Sequence, residues 1–311
     1  MLRSLYSGIG GMNNFQNKLD VIGNNISNVN TQGFKKGRVT FNDLVSQQMQ
    51  GAGTPQEGGR GGTNPQQIGL GGSMATIDTI DTQGSLQSTG RDLDMAISGD
   101  GFFVVEDGDE ALYTRAGNFY LDSEGRLVNG DGLSIQGFLN AEGDVATEAA
   151  DIEEDDPLTN LYIPAGATVD DLRTGAGIDD FPGIDIPADA DDDATLESFN
   201  VAPSGEINGV FSNGETYVLG VVAMANFPNP GGLNKTGGNT FEVSANSGAP
   251  QIGTSNTGGR GELVGSALEM SNVDLSEEFA EMIVSQRGFQ ANTRSITTAD
   301  EILQELIQLK R

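Results

Sequence analysis

The chain has 311 residues, a formal charge of −29, 45 glycines and no cysteine, histidine or tryptophan. Lacking both His and Cys, it has no ordinary general base near neutral pH, no thiolate nucleophile, none of the commonest zinc ligands and no means of forming a disulfide. Its 16 basic residues against 45 acidic ones repel nucleic acid and anionic membrane surfaces, and no stretch approaches the roughly 18 apolar residues of a membrane span. The opening residues, Met1 to Gly8, carry one positive charge but neither a continuous apolar core nor a small-residue cleavage site. A cleaved signal peptide is therefore not expected.

In chain order, the first element is a helix. Leu2, Leu5, Ile9, Met12, Phe15, Leu19, Ile22, Ile26 and Val29 step by three or four and predict one apolar seam. Gly8, Gly10, Gly11 and Gly23 fall within it, each costing about 1 kcal/mol relative to alanine. Such a helix is poor alone, and its order is expected to depend on packing partners. Residues 51–72, rich in Gly, Pro and Gln, read as a linker or extended hinge.

From 73 to 141 short apolar runs alternate with glycine turns. They include Ile97-Ser98-Gly99-Asp100-Gly101-Phe102-Phe103-Val104-Val105, then Tyr113 and Phe119-Tyr120, with Glu124-Gly125 or Asn129-Gly130 as reversals. Residues 142–199 form an acidic block, with Glu153 to Asp156 and Asp189 to Asp193, expected as a small insert or an exposed loop. A second β stretch, 200–267, carries Asn213-Gly214 between alternating runs as a tight turn.

The last element is a second helix. Leu275, Phe279, Met282, Phe289, Ile296, Leu303 and Ile307 continue the three-four spacing. Asp274 is the expected N-cap, with Glu277 as its reciprocal partner and Glu278 favouring the helix start by charge. The fold class is α+β: hairpin-rich, sandwich- or barrel-like β structure between long, coiled-coil-like terminal helices. Residues 1–50 with 268–311 make the helical part, and 73–141 with 200–267 the β part.

No catalytic or metal site emerges. Asp189, Asp191 and Asp193 superficially suggest a calcium loop, but Ala194 and Asn200 stand where that pattern needs glycine and glutamate. Gly99 and Gly101 have no helix after them, so they do not form a phosphate cradle.

Three separated motifs closely resemble the bacterial flagellar rod and hook family. The first is Ile22-Gly23-Asn24-Asn25-Ile26-Ser27-Asn28-Val29-Asn30-Thr31-Gln32-Gly33-Phe34-Lys35. The second comprises Gly84 to Asp94, then Gly99-Asp100-Gly101-Phe102-Phe103 and Tyr113-Thr114-Arg115-Ala116-Gly117. The third is Ser285-Gln286-Arg287-Gly288-Phe289-Gln290-Ala291-Asn292. Asn24, Asn25, Asn28, Asn30, Gly33, Phe34, Gly99, Gly101, Phe102, Arg287 and Gly288 are the residues that carry it.

The resemblance implies a structural subunit of a helical homopolymer in the flagellum, outside the cell, exported by the type III apparatus without a cleaved signal. Its implied partners are copies of itself and the rod, hook-cap and hook–filament junction proteins. No cofactor, nucleic acid or membrane insertion is implied. Gly209 to Gly214 and Val222 to Phe227 look more like hook members, with distal rod members as the alternative.

Overall fold

The computed structural model describes residues 2–54, 61–108, 110–139, 158–164, 166–174 and 193–309. They form two compact units, one of Met1–Val29, Lys36–Ile80 and Val273–Arg311, the other of Asn30–Lys35 and Asp81–Asn272. Three α-helices are described: α1 Leu2–Ser27, α2 Val169–Thr174 and α3 Leu275–Leu309.

The first unit pairs α1 with α3 and adds a β ribbon. Strand Gly37–Asp43 lies antiparallel to Gly72–Thr79, with a bulge between Thr40 and Phe41. Farther out, Gln47–Gln50 pairs with Gln66–Ile68, and Gly53 and Thr63 exchange backbone hydrogen bonds of 3.0 and 3.1 Å. In its described parts the span expected as a linker therefore leaves and returns along one ribbon, because paired strands satisfy backbone groups that a free glycine-rich chain leaves to water. Residues 73–80 consequently belong with the helices and not with the β part.

The second unit is built on an antiparallel sheet with thirteen strands among the described residues. Its main path runs from Leu196–Val201 through Glu206–Phe211, Thr216–Val222, Ser134–Phe138, Phe102–Asp107, Glu110–Thr114 and Thr240–Glu242 to Asn234–Gly237. Phe102–Asp107 is central. Phe103 and Val105 join one apolar core while Phe102 and Val104 join another, so both faces of this strand are covered. That explains its continuous apolar run, where a half-exposed strand would alternate. The reversals at Glu124-Gly125 and Asn213-Gly214 form as expected, with Gly125 at φ +82° and Gly214 at +82°.

The acidic block departs from expectation in its described parts. Leu161, Tyr162, Ile163, Val169, Leu172, Ala194 and Leu196 are buried in the main core, so these stretches are neither an insert nor an exposed loop. The surrounding acids mask this short apolar pattern. α2 is held by a reciprocal cap, in which Thr168 N donates to Asp171 Oδ2 at 3.1 Å and Asp171 N to Thr168 Oγ1 at 3.2 Å. The Thr168 hydroxyl, which donates to Asp171 Oδ2 at 2.8 Å, and the Thr168 backbone N–H hold the Asp171 carboxyl below its ordinary range. Asp189 and Asp191 lie outside the described residues.

Candidate functional site

Within the first unit, α1 and α3 run antiparallel and close on each other. A Cβ on Gly8 would sit 3.1 Å from Ile296, one on Gly11 2.6 Å from the Asn292 amide, and one on Gly288 2.5 Å from the Phe15 ring. Glycine is thus used at these three positions to bring the helix axes close. The covered positions of α3 include Glu278, Met282, Ser285, Phe289, Asn292, Ile296, Ala299 and Leu303, a four-three repeat, with Gly288 covered beside Phe289. One half of the repeat is apolar, and the other half is small or polar. The matching row on α1 is Leu5, Gly8, Met12, Phe15, Leu19, Ile22 and Ile26, and Val29 lies beyond the end of the helix.

Of the predicted seam residues, Ile9, Leu275, Phe279 and Ile307 do not enter this contact and are 43, 39, 49 and 67% exposed. Gly8 takes the place assigned to Ile9, because close helix approach needs a small residue there. For Leu2 only the backbone is described. Tyr6, Ile283, Val284 and Ile302 are also exposed. α3 therefore carries apolar side chains outside the seam that closes within the chain.

A polar clasp closes one end of the helix pair. Asn25 is buried; its Nδ2 donates to Gly37 O at 2.9 Å and to Glu278 Oε2 at 3.2 Å, and its Oδ1 accepts from Gly37 N at 2.9 Å. Asn25 thereby ties α1, the first ribbon strand and the first turn of α3 together. Around it, Lys36 Nζ pairs with Glu277 at 2.9 Å and Lys18 Nζ with Glu281 at 3.0 Å, lining a cleft of about 280 Å³. Asp274 caps α3 through Ser276 N at 2.7 Å, while the Glu277 carboxylate turns to Lys36.

Within the β unit the motifs converge on a residue that none of them contains. Glu269 is buried at the end of strand Ala267–Glu269. Its Oε1 accepts from Lys35 Nζ at 2.7 Å and from Gly84 N at 2.8 Å, and its Oε2 accepts from Arg115 Nε at 2.7 Å. Lys35 also donates to Thr82 O at 3.0 Å, and the Arg115 guanidinium donates to the carbonyls of Gly99 and Gly101. Gly99 and Gly101 lie at φ +114° and +137°, which is how this turn aims two carbonyls at one guanidinium.

Gly33, at φ +67°, is so close to this centre that a Cβ would fall 2.7 Å from the Arg115 carbonyl carbon. Burial pushes the Lys35 ammonium below the usual lysine range, with Arg115 adding to it against the pull of Glu269. Burial opposes the Glu269 charge too, yet Arg115, Lys35 and the Gly84 amide hold its carboxyl below the ordinary range.

The other motif residues are dispersed. Phe34 lies under Lys235 Nζ, 5.3 Å from the ring centroid, and Phe102 stacks edge-on against Phe227 and Phe241 in the second core. Asn28 Nδ2 donates to Asn24 O at 2.9 Å, Asn30 lines a polar cleft with Asn118, Asn129 and Asp131, and Arg287 is exposed. The motif search did not reach Glu269. In the sequence it is a single acid between Leu268 and Met270, with nothing local to set it apart from the chain's other acids.

Comparison with known proteins bears on what these arrangements serve. The model described as "Flagellar hook protein FlgE/F/G D1 domain" matches residues 96–209. "Flagella basal body rod protein" matches 5–35, and "Flagellar basal body rod FlgEFG protein C-terminal" matches 264–309. The flagellar basal-body rod protein FlgG of Bacillus subtilis is 48% identical to the chain over 100% of both. This chain belongs to the flagellar rod and hook family. It is a structural protein of the bacterial flagellum and not an enzyme.

Family members of both kinds are similar to it over their whole length. The flagellar hook protein FlgE of Borreliella burgdorferi is 35% identical over 100% of both chains, and the rod protein FlgG of Agrobacterium fabrum 33% identical over 97% of both. Among solved structures, the hook protein FlgE2 of Helicobacter pylori covers 59% of this chain and 100% of its own at 12% identity, with a TM-score of 0.44, a likeness too slight to argue from.

Proposed function

We propose that the chain polymerises with its own copies into the helical axial tube of the flagellum, and that within this family it is the hook subunit, a flexible joint between rod and filament. The observation that carries the polymer reading is the apolar surface left on α3 after its seam has closed. Phe279 and Ile283 lie one turn apart, and Val284, Ile302 and Ile307 are also uncovered. A solitary soluble chain gains nothing from exposing them, whereas each large side chain covered by a neighbour contributes about 1.5 to 3 kcal/mol before entropy is deducted.

The hook reading is supported by the stretches Gly209 to Gly214 and Val222 to Phe227; the first ends strand Glu206–Phe211, paired with Thr216–Val222, and the second contains Met224–Asn226, paired with the central strand Phe102–Asp107. A distal rod subunit is the second reading, favoured by the full-length relative at 48% identity that bears a rod protein's name. The partners that follow from either are the adjoining rod, hook-cap and junction proteins and the export apparatus.

The polymer reading is tested by Phe279→Asp with Ile283→Asp in the full chain. Melting of the β unit is expected to be unchanged while tubes vanish under the electron microscope; undiminished tube formation refutes it. Deleting the gene separates the finer readings, since a missing hook on an intact rod supports the first and a truncated rod the second.

A further inference from the structure

We propose that the outward row of α1 in one copy of this chain docks against the outward row of α3 in a second copy, with Asp20 of the first received by Arg287 of the second. This rests on the reading that the chain polymerises and names the contact it uses. Among the described side chains, every lysine and arginine but two has a partner. The two are Arg287 and Arg294, exposed, one heptad apart and the only bases of α3. Asp20 is the only acid of α1, and it too is exposed and without an ion pair among the described residues. Copies of a chain with charge −29 repel one another, so a face with free cations is where an acidic copy approaches most readily.

These charges do not meet inside one chain. Gly8 lies against Ile296, Gly11 against Asn292 and Phe15 against Gly288. That alignment sets Arg287 level with Gln16, and Asp20 about four residues, or roughly 6 Å, farther along the axis. Copies in a helical array share one polarity. A neighbour's α1 therefore meets α3 antiparallel, as the two helices meet within the chain.

Placing Asp20 beside Arg287 fixes every other level of that contact. The exposed rows are Tyr6, Ile9, Asn13, Gln16, Asp20 and Gly23 on α1, and Val284, Arg287, Ala291, Arg294, Thr298 and Ile302 on α3. Gly23 then falls opposite Val284, Asn13 opposite Arg294, and Tyr6 opposite Ile302. Gly23 is the one glycine of α1 whose added Cβ finds nothing within 4 Å, whereas Val284 is 64% exposed. Within a single chain that glycine only weakens the helix; against a second copy it makes room for a branched side chain. Tyr6 and Ile302, 73 and 49% exposed, cover each other, and the Asn13 amide oxygen accepts from Arg294.

The test uses the full chain carrying Asp20→Arg, Arg287→Asp, both together, or Gly23→Leu. Melting of the dilute protein and the concentration at which tubes appear under the electron microscope are measured. The charge variants are expected to melt like the wild type, because neither group has an ion-pair partner to lose. Each single reversal should raise the assembly concentration on the order of tenfold or more, since like charges then face each other. The double reversal should return it to near the wild-type value. Gly23→Leu should melt no lower than the wild type and yet build no regular tubes.

Wild-type assembly by either single reversal overturns the proposal and leaves the arginine row to a partner other than a second copy. A double reversal that assembles no better than the single ones, or normal tubes from Gly23→Leu, overturns it as well. If the wild-type chain itself builds no tube, the polymer reading fails and this contact with it; tubes indifferent to the reversals sink the contact alone.

Discussion

Gly33→Ala is the sharpest single perturbation of the β unit. Two costs add. A left-handed backbone at φ +67° costs an alanine about 1 to 2 kcal/mol. The new Cβ would lie 2.7, 2.8 and 2.9 Å from the Arg115 carbonyl carbon, its oxygen and Ala116 N. These are backbone atoms that cannot rotate aside, and forcing them apart adds about 1 to 3 kcal/mol. Gly90→Ala isolates the first cost, since Gly90 has φ +70° and nothing within 4 Å of its added Cβ.

For a unit of this size, about 2 to 4 °C of melting temperature follows each kcal/mol. Gly33→Ala should therefore lower the calorimetric midpoint by about 5 to 15 °C, and Gly90→Ala by less than about half as much. Equal shifts in the two variants would refute the claim that close approach, and not turn conformation alone, demands glycine at Gly33.

Glu269→Leu leaves Lys35 and Arg115 buried without their counter-charge and should cost about 3 to 5 kcal/mol in denaturant titration. Because the folded-state pKa of Glu269 is depressed, its contribution is complete above the ordinary carboxylate range and is lost as pH falls through the lower folded value. Melting curves of the wild type should accordingly drop in acid, and Glu269→Gln should drop less steeply; parallel curves would contradict this. On the helices, Gly23→Ala has nothing within 4 Å of its Cβ and should gain about 0.5 to 1 kcal/mol, while Gly288→Ala strikes the Phe15 ring and should lose stability. Ser285 Oγ is buried without a hydrogen-bond partner, so Ser285→Ala should melt at the same temperature as the wild type or higher.

Much of the helical pattern was legible because Met282, Phe289, Ile296 and Leu303 repeat every seven residues. The other half of the repeat was not, because Glu278, Ser285, Asn292 and Ala299 are small or polar and give no hydropathy signal. The same substitution of size for greasiness hid Gly8 behind Ile9. Turns with an Asn-Gly or Glu-Gly pair were readable from local chemistry. The ribbon was obscured because its pairing joins Gly37–Asp43 to Gly72–Thr79 across a long glycine-rich excursion. Glu269 escaped notice for a related reason: its partners come from positions 35, 84 and 115, and a single acid records nothing of that convergence.

The helix pair is finished differently at its two extremities. Near Asn25 and Glu278 it is riveted by buried polar bonds, whereas α3 outlasts α1 by about two turns at the other extremity, where Ile307 is 67% exposed. Thermal breathing should then start from the chain termini and die out toward the rivet, as a zipper slackens from its open side. A neighbour could wedge into that slack portion without undoing the fastened one, so joining and leaving a stack of copies need not unfold any of them.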